Sequence, residues 1–314
     1  MISTSRFLLA AGLLATATVA AQAKIERTIE KSFTVPPGGT LHVSTQGGEI
    51  RVSPSADAVV KIVAHEKIRA NSEAEADEML KKLELTLEQN GGEVTASAKY
   101  ERQMPGFHFG SWPPVEVSFT VTVPVSFATD LHTSGGDITV GDLVGQVRAR
   151  TSGGDIKLGK IAGDIDAHTS GGNVSLDEGR GAVKLGTSGG DIVVGHAMGA
   201  TDLSTSGGNI KIEAVENALH ASTSGGDVRA GIVGAWKEDS SLGTSGGSVR
   251  VTVEKSAAFR LDASTSGGRV DAEGLTITLE KSGRDRSRLS GAVNGGGPLL
   301  KLRSSGGDIA VRTR

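Results

Sequence analysis

Short runs of alternating apolar and polar residues return at a fixed interval through the middle of the chain. The run Thr-Ser-Gly-Gly-Asp-Ile first stands at residues 133–138. It recurs at one constant spacing, in identical or closely related form, from Thr151, Thr169, Thr187, Thr205 and Thr223. Counted from the threonine, positions 6, 8, 15 and 17 are apolar in almost every copy, with polar residues between them. Such alternation is typical of a strand with one buried face, so each repeat is predicted to hold two short strands.

Paired glycines mark one corner of each repeat, between the two predicted strands. Glycine adopts positive φ without a Cβ penalty, so we expect these residues to make the turn. A further glycine near position 13 marks the opposite corner. The predicted structural turn residues of the six regular repeats are Gly135, Gly136, Asp137, Gly153, Gly154, Asp155, Gly171, Gly172, Asn173, Gly189, Gly190, Asp191, Gly207, Gly208, Asn209, Gly225, Gly226 and Asp227.

One repeat cannot bury its apolar face alone, so the copies must stack. Stacking at about 4.8 Å would turn each repeat position into a ladder around a narrow core. A constant period with two strands and no helix per repeat indicates a parallel β-solenoid; an antiparallel sandwich is the alternative. The predicted fold class is all-β. It is a parallel β-solenoid, or β-helix, of short coils of about 18 residues with an N-terminal β-rich cap containing one short helix.

The repeat becomes irregular towards both ends of the chain. Its spacing lengthens after Thr223, with later copies at Thr244, Thr265 and Ser304, and a diverged copy begins at Thr45. Residues 299–312 return to the pattern and are predicted to form the last coil. Residues 125–314 are predicted as the solenoid, and residues 24–124 as the cap, because terminal repeats are atypical and open sheet edges need cover.

The predicted cap contains several strands and one helix. The helix is predicted at residues 72–82, where Ser72 and Glu75 form a capping-box pattern. Residues 83–88 and 93–98 alternate around an Asn-Gly-Gly turn and are predicted to pair as a hairpin.

The first residues have the features of a secretory signal. Arg6 gives a basic start, an apolar stretch follows, and residues 21–23 form an Ala-x-Ala cleavage site. We expect a signal peptide over residues 1–23, cleaved after Ala23, and an exported protein that is periplasmic or extracellular. No membrane span is expected after cleavage. The chain has no cysteine. Its 33 basic residues are outnumbered by 36 acidic residues, so it offers no basic footprint for nucleic acid.

One family resemblance rests on the repeat and its flanks. Phe-Thr-Val-Thr-Val-Pro at residues 119–124 leads into Leu-His-Thr-Ser-Gly-Gly-Asp-Ile at 131–138, and Ser-Gly-Gly-Asp-Ile returns at 305–309. The sequence resembles the bacterial putative-adhesin family, a domain of unknown function built from such repeats, over roughly residues 30–314. The resemblance implies an extracytoplasmic β-solenoid, sometimes associated with cell-envelope or surface functions. It supplies no catalytic residue.

Several motifs contain residues of the types that catalyse reactions or bind metals. Ser188 and Ser245 match the G-x-S-x-G nucleophile pattern, but no helix is expected after either, so repeat sequence explains both. The Asp/Asn series at position 5 could hold calcium, yet a turn residue that bonds nearby backbone is the simpler interpretation. The histidines are too scattered for a metal site. No catalytic residue, metal ligand or cofactor is predicted.

Two groups of residues are candidate partner contacts. The first is the aromatic patch of Phe107, Phe109 and Trp112. The second is an arginine cluster, Arg284, Arg286 and Arg288, which could meet an anionic polysaccharide or a lipid headgroup. The sequence favours a non-catalytic binding or structural module of the bacterial cell envelope, with an unknown glycan or protein partner. The alternative is a polysaccharide-active β-helix enzyme, a lyase or a hydrolase, with residues near Trp236 and Arg284 as the places for its cleft.

Overall fold

The structure is a computed structural model, and it describes residues 25–100, 113–234, 236–282 and 286–314. The predicted signal peptide lies outside these residues. The described chain forms 27 strands and one helix. The N-terminal elements are β1 (Ile25–Thr34), β2 (Thr40–Thr45), β3 (Ile50–Ser55), β4 (Val59–Ile68), α1 (Glu73–Leu80), β5 (Leu83–Asn90), β6 (Glu93–Tyr100) and β7 (Val115–Pro124).

The repeats supply two strands per coil, as the alternation predicted. These strands are β8 (Ala128–His132), β9 (Ile138–Val140), β10 (Val147–Arg150), β11 (Ile156–Ile161), β12 (Ile165–His168), β13 (Val174–Gly179), β14 (Val183–Gly186), β15 (Ile192–Ala197), β16 (Thr201–Ser204), β17 (Ile210–Val215), β18 (Leu219–Thr223), β19 (Val228–Ile232), β20 (Ser240–Thr244) and β21 (Val249–Val253). The remaining strands are β22 (Phe259–Thr265), β23 (Val270–Glu273), β24 (Ile277–Ser282), β25 (Arg288–Val293), β26 (Leu299–Ser304) and β27 (Ile309–Thr313).

Two long sheets face each other across one apolar core. Sheet A runs in the order β1-β4-β7-β3-β9-β11-β13-β15-β17-β19-β21-β27-β23, and sheet B in the order β24-β25-β22-β26-β20-β18-β16-β14-β12-β10-β8-β2-β6-β5. Neighbouring coils pair in parallel: Ile156 lies opposite Ile138 on one side and Val174 on the other. The prediction of a parallel β-solenoid is confirmed.

The core consists of the apolar positions of the repeat. In the coil that begins at Thr151, the buried side chains are Ile156, Leu158, Ile161, Ile165 and Ala167, whereas Lys157 and Lys160 face solvent. Stacking places like residues over like residues, so each repeat position forms a ladder along the core. Burial of a large aliphatic side chain contributes about 1.5–3 kcal/mol, and no single coil could obtain it without neighbours.

The order of coils in space differs from their order in sequence at the C-terminal end. We expected residues 299–312 to form the last coil, and that expectation is wrong. The coil of β26 and β27 lies between the coil of β20 and β21 and the coil of β22 and β23. The register across this insertion is that of the central repeats, with Val249 and Val270 both opposite Ile309.

The N-terminal end has the same arrangement. β2 pairs in parallel with both β6 and β8, and β3 with both β7 and β9. The coil of β6 and β7 therefore lies outside a coil that precedes it in sequence. Both of these coils fall within residues 24–124, the region that we predicted as the cap.

Antiparallel strands continue the sheets beyond the parallel coils. At the N-terminal end β5 pairs with β6, while β4 pairs with β7 and carries β1. At the C-terminal end β25 pairs with β22 and carries β24. Such strands cover edges that would otherwise offer a row of free backbone groups to another chain.

The single helix of the described residues is α1, slightly shorter than the predicted 72–82. The Ser72 hydroxyl accepts a hydrogen bond from the Glu75 N–H at 3.2 Å, as the capping-box pattern indicated. The reciprocal bond is displaced by one residue, because the Glu75 carboxylate accepts from the Asn71 N–H. The helix buries Ala76 against the core. No helix among the described residues has the length and apolar character needed to cross a membrane.

Candidate interaction surfaces

The threonine of each repeat is a structural residue that joins neighbouring coils. The Thr169 hydroxyl donates to the Gly154 carbonyl of the preceding coil at 2.8 Å and accepts from the Gly172 N–H of its own turn at 3.4 Å. The same pair of contacts recurs through the stack. These hydroxyls are buried and satisfy backbone groups, so the ladder presents no hydroxyl array to solvent.

Removing one of these hydroxyls should destabilise the stack measurably. Thr169→Val keeps the shape of the side chain but leaves a buried carbonyl without its donor, and we expect a loss of about 2 kcal/mol in the free energy of unfolding. Chemical denaturation followed by circular dichroism measures it. Thr169→Ser is the control, because Ser304 makes both equivalent bonds at 2.8 and 2.9 Å. Equal stability of the valine and wild-type proteins would contradict this role.

The Asp and Asn residues at position 5 form a second ladder at the same corner. The Asp155 Oδ1 accepts from the Asn173 N–H at 2.7 Å, and the Asn173 Oδ1 accepts from the Asp191 N–H at 2.8 Å. The series continues through Asp227, Ser248 and Asp308. One oxygen per side chain is thus committed to backbone, which is the turn role that we weighed against calcium. The described residues contain no group of three metal-ligating side chains.

The glycines of these corners are required for a reason that we did not predict. We expected positive φ, but the positive-φ glycines of the described chain lie elsewhere, at Gly38, Gly91, Gly234, Gly274, Gly295 and Gly296. The second glycine of each pair instead approaches the coil below. A Cβ on Gly154 would lie 2.1 Å from the Gly136 carbonyl oxygen. Close stacking of backbone on backbone excludes a side chain there.

Two of the positions considered for catalysis, Ser188 and Trp236, make contacts within the fold. Ser188 stands in a corner, where its N–H donates to the Ser170 carbonyl at 3.3 Å, and no helix follows it. Trp236, near which we placed one part of a possible cleft, is buried and packs on Phe259 with ring centroids 5.4 Å apart. It therefore belongs to the core.

Of the six predicted partner contacts, the structure describes two, Arg286 and Arg288. Phe107, Phe109, Trp112 and Arg284 lie outside the described residues. Arg286 is exposed, and its carbonyl accepts from the Val270 N–H at 2.8 Å, which continues the ladder beyond the outermost coil. Arg288 lies in β25 of sheet B, where its guanidinium is 3.8 Å from the Asp262 carboxylate.

The outer faces of the two sheets differ in charge pattern. Across sheet B the central exposed row alternates in sign and then becomes polar: Arg148, Asp166, Lys184, Asp202, His220 and Ser241. Asp166 of this row pairs with Arg150, which lies two residues after Arg148 on β10, at 2.9 Å. The corresponding row of sheet A carries three successive cations, Lys211, Arg229 and Arg250. Only sheet A therefore collects charge of one sign.

We call the five cations of this region the basic strip: Lys211, Arg229, Arg250, Arg312 and Arg314. They surround a shallow depression of about 420 Å³ on the outer face of sheet A. The depression exists because small residues, Gly231 and Ala310, occupy strand positions between the long basic side chains.

The acids near the basic strip only partly balance it. Arg229 and Arg250 share one carboxylate, that of Asp227, at 3.2 and 2.9 Å. The hydrogen bond from the Ser248 N–H, with further help from the two arginines, holds the pKa of Asp227 below its usual range, so this acid stays ionised. Lys211, Arg312 and Arg314 each contact one glutamate. Because Asp227 is shared, these ion pairs join five cations to four carboxylates.

The basic strip was not predicted from the sequence, although three of its five residues can be recognised there. Lys211, Arg229 and Arg250 occupy the same outward position of successive repeats, so an alignment of the repeats shows them in one column. Arg312 could not be placed, because it reaches the strip only through insertion of β27 next to β21. That insertion pairs residues far apart in sequence, such as Val249 with Ile309.

Comparisons with known proteins relate the chain to one family and to several solved structures. The family model described as Toastrack DUF4097 matches residues 40–312. Comparison with curated protein sequences gave no match.

Three of the similar solved structures come from Bacteroides and Parabacteroides species. A putative adhesin from Bacteroides fragilis NCTC 9343 is 13% identical, with 92% of this chain and 97% of that chain covered and a TM-score of 0.31. A putative lipid binding protein from Parabacteroides distasonis ATCC 8503 is 12% identical, with coverage of 90% and 96% and a TM-score of 0.34. A putative adhesin from Parabacteroides merdae ATCC 43184 is 10% identical, with coverage of 91% and 96% and a TM-score of 0.35.

Proposed function

Because this chain belongs to the Toastrack DUF4097 family, we propose that it is an exported, adhesin-like binding module of the bacterial cell envelope that performs no catalysis. The observation that carries the proposal is the basic strip. It lies on a rigid sheet and is open to solvent. We propose that it holds an anionic polymer of the envelope by its repeated carboxylate, sulfate or phosphate groups.

The spacing of the strip suits a repeating ligand. Lys211, Arg229 and Arg250 follow one another on adjacent parallel strands, about 4.8 Å apart. Guanidinium groups bind carboxylates and phosphates through two parallel hydrogen bonds. Several weak contacts along one chain add up, because each later contact forms within the same complex.

The existing ion pairs do not block such a ligand. The side chains of Arg229 and Arg250 are 58% and 49% exposed. Exposed ion pairs contribute about 0–1 kcal/mol, so a carboxylate of a ligand can replace a carboxylate of the protein at little cost. In the absence of a ligand, the Asp227 carboxylate holds both guanidiniums side by side.

A charge-matched pair of double variants tests the proposal. Arg229→Gln with Arg250→Gln should lower the affinity for an anionic polysaccharide such as polygalacturonate at least tenfold, because both adjacent guanidiniums are lost. The control, Arg148→Gln with Lys184→Gln, removes the same charge from sheet B and should bind like the wild type. Binding should also weaken as salt is raised, since exposed charges are screened beyond about 10 Å at 0.1 M.

Calorimetric titration and the length of the recovered polymer are the two measurements. Equal loss of affinity in both double variants would show that net charge alone attracts the polymer, and the strip would be rejected as its site. Shortening of the polymer by the wild-type protein would reject the non-catalytic role and favour the alternative of a polysaccharide-active enzyme.

A further inference from the structure

A cleft opens at the N-terminal end of the solenoid, between β1 and β4 of sheet A and α1 and β5 that face them. It has a volume of about 620 Å³, within the usual range for small-molecule sites. Its walls are largely aliphatic: Ile29, Leu80, Leu83 and Leu85. Ile29 is 38% exposed, and the three leucines are partly buried against the core, so apolar side chains are accessible from solvent here.

A buried carboxyl group lies in this cleft. Glu66 is only 4% exposed and lines the cleft from the inward face of β4. The other inward residues of that strand are Val60, Ile62, Ala64 and Ile68, so Glu66 takes a position that the pattern assigns to an apolar side chain. The described residues give its carboxyl no hydrogen bond and no ion pair. Burial raises the pKa of Glu66, and the charge of Arg27 opposes the shift.

Arg27 does not neutralise this carboxyl. It lies opposite Glu66 in the pairing of β1 with β4. Its guanidinium, however, is held by α1, at 2.6 Å from the Asp77 carboxylate and 3.1 Å from that of Glu73. Lys31, further along the same face of β1, donates to the Leu87 carbonyl at 2.7 Å. Around the cleft, the three acids Glu66, Glu73 and Asp77 thus stand against two cations, Arg27 and Lys31.

A largely buried carboxyl group that takes no partner from the protein costs free energy unless water, an ion or a ligand supplies one. We propose that the cleft binds an amphiphile whose aliphatic chain lies against Ile29, Leu83 and Leu85 and whose terminal ammonium group donates to the Glu66 carboxylate. The acidic surroundings favour a cationic head, and the leucines favour an unbranched chain. This site is separate from the basic strip and does not depend on its function.

The probe is decylamine, which is a cation at neutral pH, used below its critical micelle concentration. Calorimetric titration of the full mature chain should show saturable binding of one molecule. Glu66→Gln preserves the size of the side chain and removes its charge, so the affinity should fall at least tenfold. Glu84→Gln makes the same charge change on an exposed position of the neighbouring strand β5 and should bind like the wild type.

Two further ligands separate the contribution of the head from that of the chain. Decanol should bind more weakly than decylamine to the wild type, and equally to wild type and Glu66→Gln. Decyl sulfate should bind more weakly still. The proposal is overturned if decylamine does not bind, if Glu66→Gln binds it as tightly as the wild type, or if decyl sulfate matches it. Circular dichroism of each variant confirms that the cap is folded before titration.

Discussion

Removal of residues 299–314 is expected to unfold the C-terminal third of the stack. The deletion takes out the inserted coil of β26 and β27, whose buried side chains include Leu300, Leu302, Ile309 and Val311. At about 1.5–3 kcal/mol for each side chain, the loss is about 6 kcal/mol or more. That is comparable to the whole stability of an ordinary domain. The coil of β22 and β23 would also lose the neighbour on which it stacks.

A larger internal deletion should be tolerated better than this short one. Joining residue 256 to residue 298 removes β22–β25 but leaves the coil of β26 and β27 stacked directly on β20 and β21, as it is in the intact protein. Hydrogen exchange at residues 205–253 is the measurement. We expect protection to persist in the internal deletion and to be lost in the truncation. The opposite result would mean that β26 and β27 are the terminal coil.

Gly154→Ala is expected to cost about 3 kcal/mol or more, the upper end of what an added methyl group costs in a close-packed site. Its Cβ would lie 2.1 Å from the Gly136 oxygen and 2.4 Å from the Gly136 carbon. The clashing atoms belong to the backbone of the neighbouring coil, which is held by the stacking of coils, so they cannot move away as a flexible side chain would. The free energy of unfolding from denaturant titration measures the loss.

The neighbouring glycine provides the control. In Gly153→Ala the nearest atom to the new Cβ would be the Gly135 oxygen at 3.4 Å, which is ordinary contact. The free energy of unfolding should therefore change by less than about 1 kcal/mol. Alanine also reduces the conformational entropy of the unfolded chain, which offsets part of any loss. A similar loss in both variants would show that conformational freedom of the turn, and not the close approach, explains the glycine pair.

The regular alternation of the repeats was enough to predict the strands, the parallel stacking and the buried positions, because these depend on local period. The interlocked ends depend on contacts between distant residues. The long gap between the copies at Thr265 and Ser304 indicated an irregularity without giving its direction. One signal was present: residues 304–309 keep the aspartate of the central repeats, whereas the repeat at Thr265 has Arg269 in its place. The copy at residues 304–309, which keeps the aspartate, lies inside the stack, and the copy at Thr265, which has lost it, lies outside.

The candidate sites were predictable to different extents. Lys211, Arg229 and Arg250 share a repeat position, and only their significance was missed. Glu66 was also readable, as a charged residue in the apolar phase of a strand. The cleft around it was not, since it requires α1 and β5 to stand opposite β1 across the core. Phe107, Phe109, Trp112 and Arg284 remain predictions.

The inserted coils determine how the molecule would bear tension. A solenoid whose coils follow sequence order peels from its end, one ladder after another, when a terminus is pulled. Here a pull on residue 314 acts on β26 and β27, each of which is bonded to a neighbour on both sides. A pull on residue 25 first strips β1 from β4, but then reaches β2 and β3, which are held in the same way. Both ends must therefore rupture paired ladders together, so the structure should resist force applied along the chain far better than a simple stack of equal length.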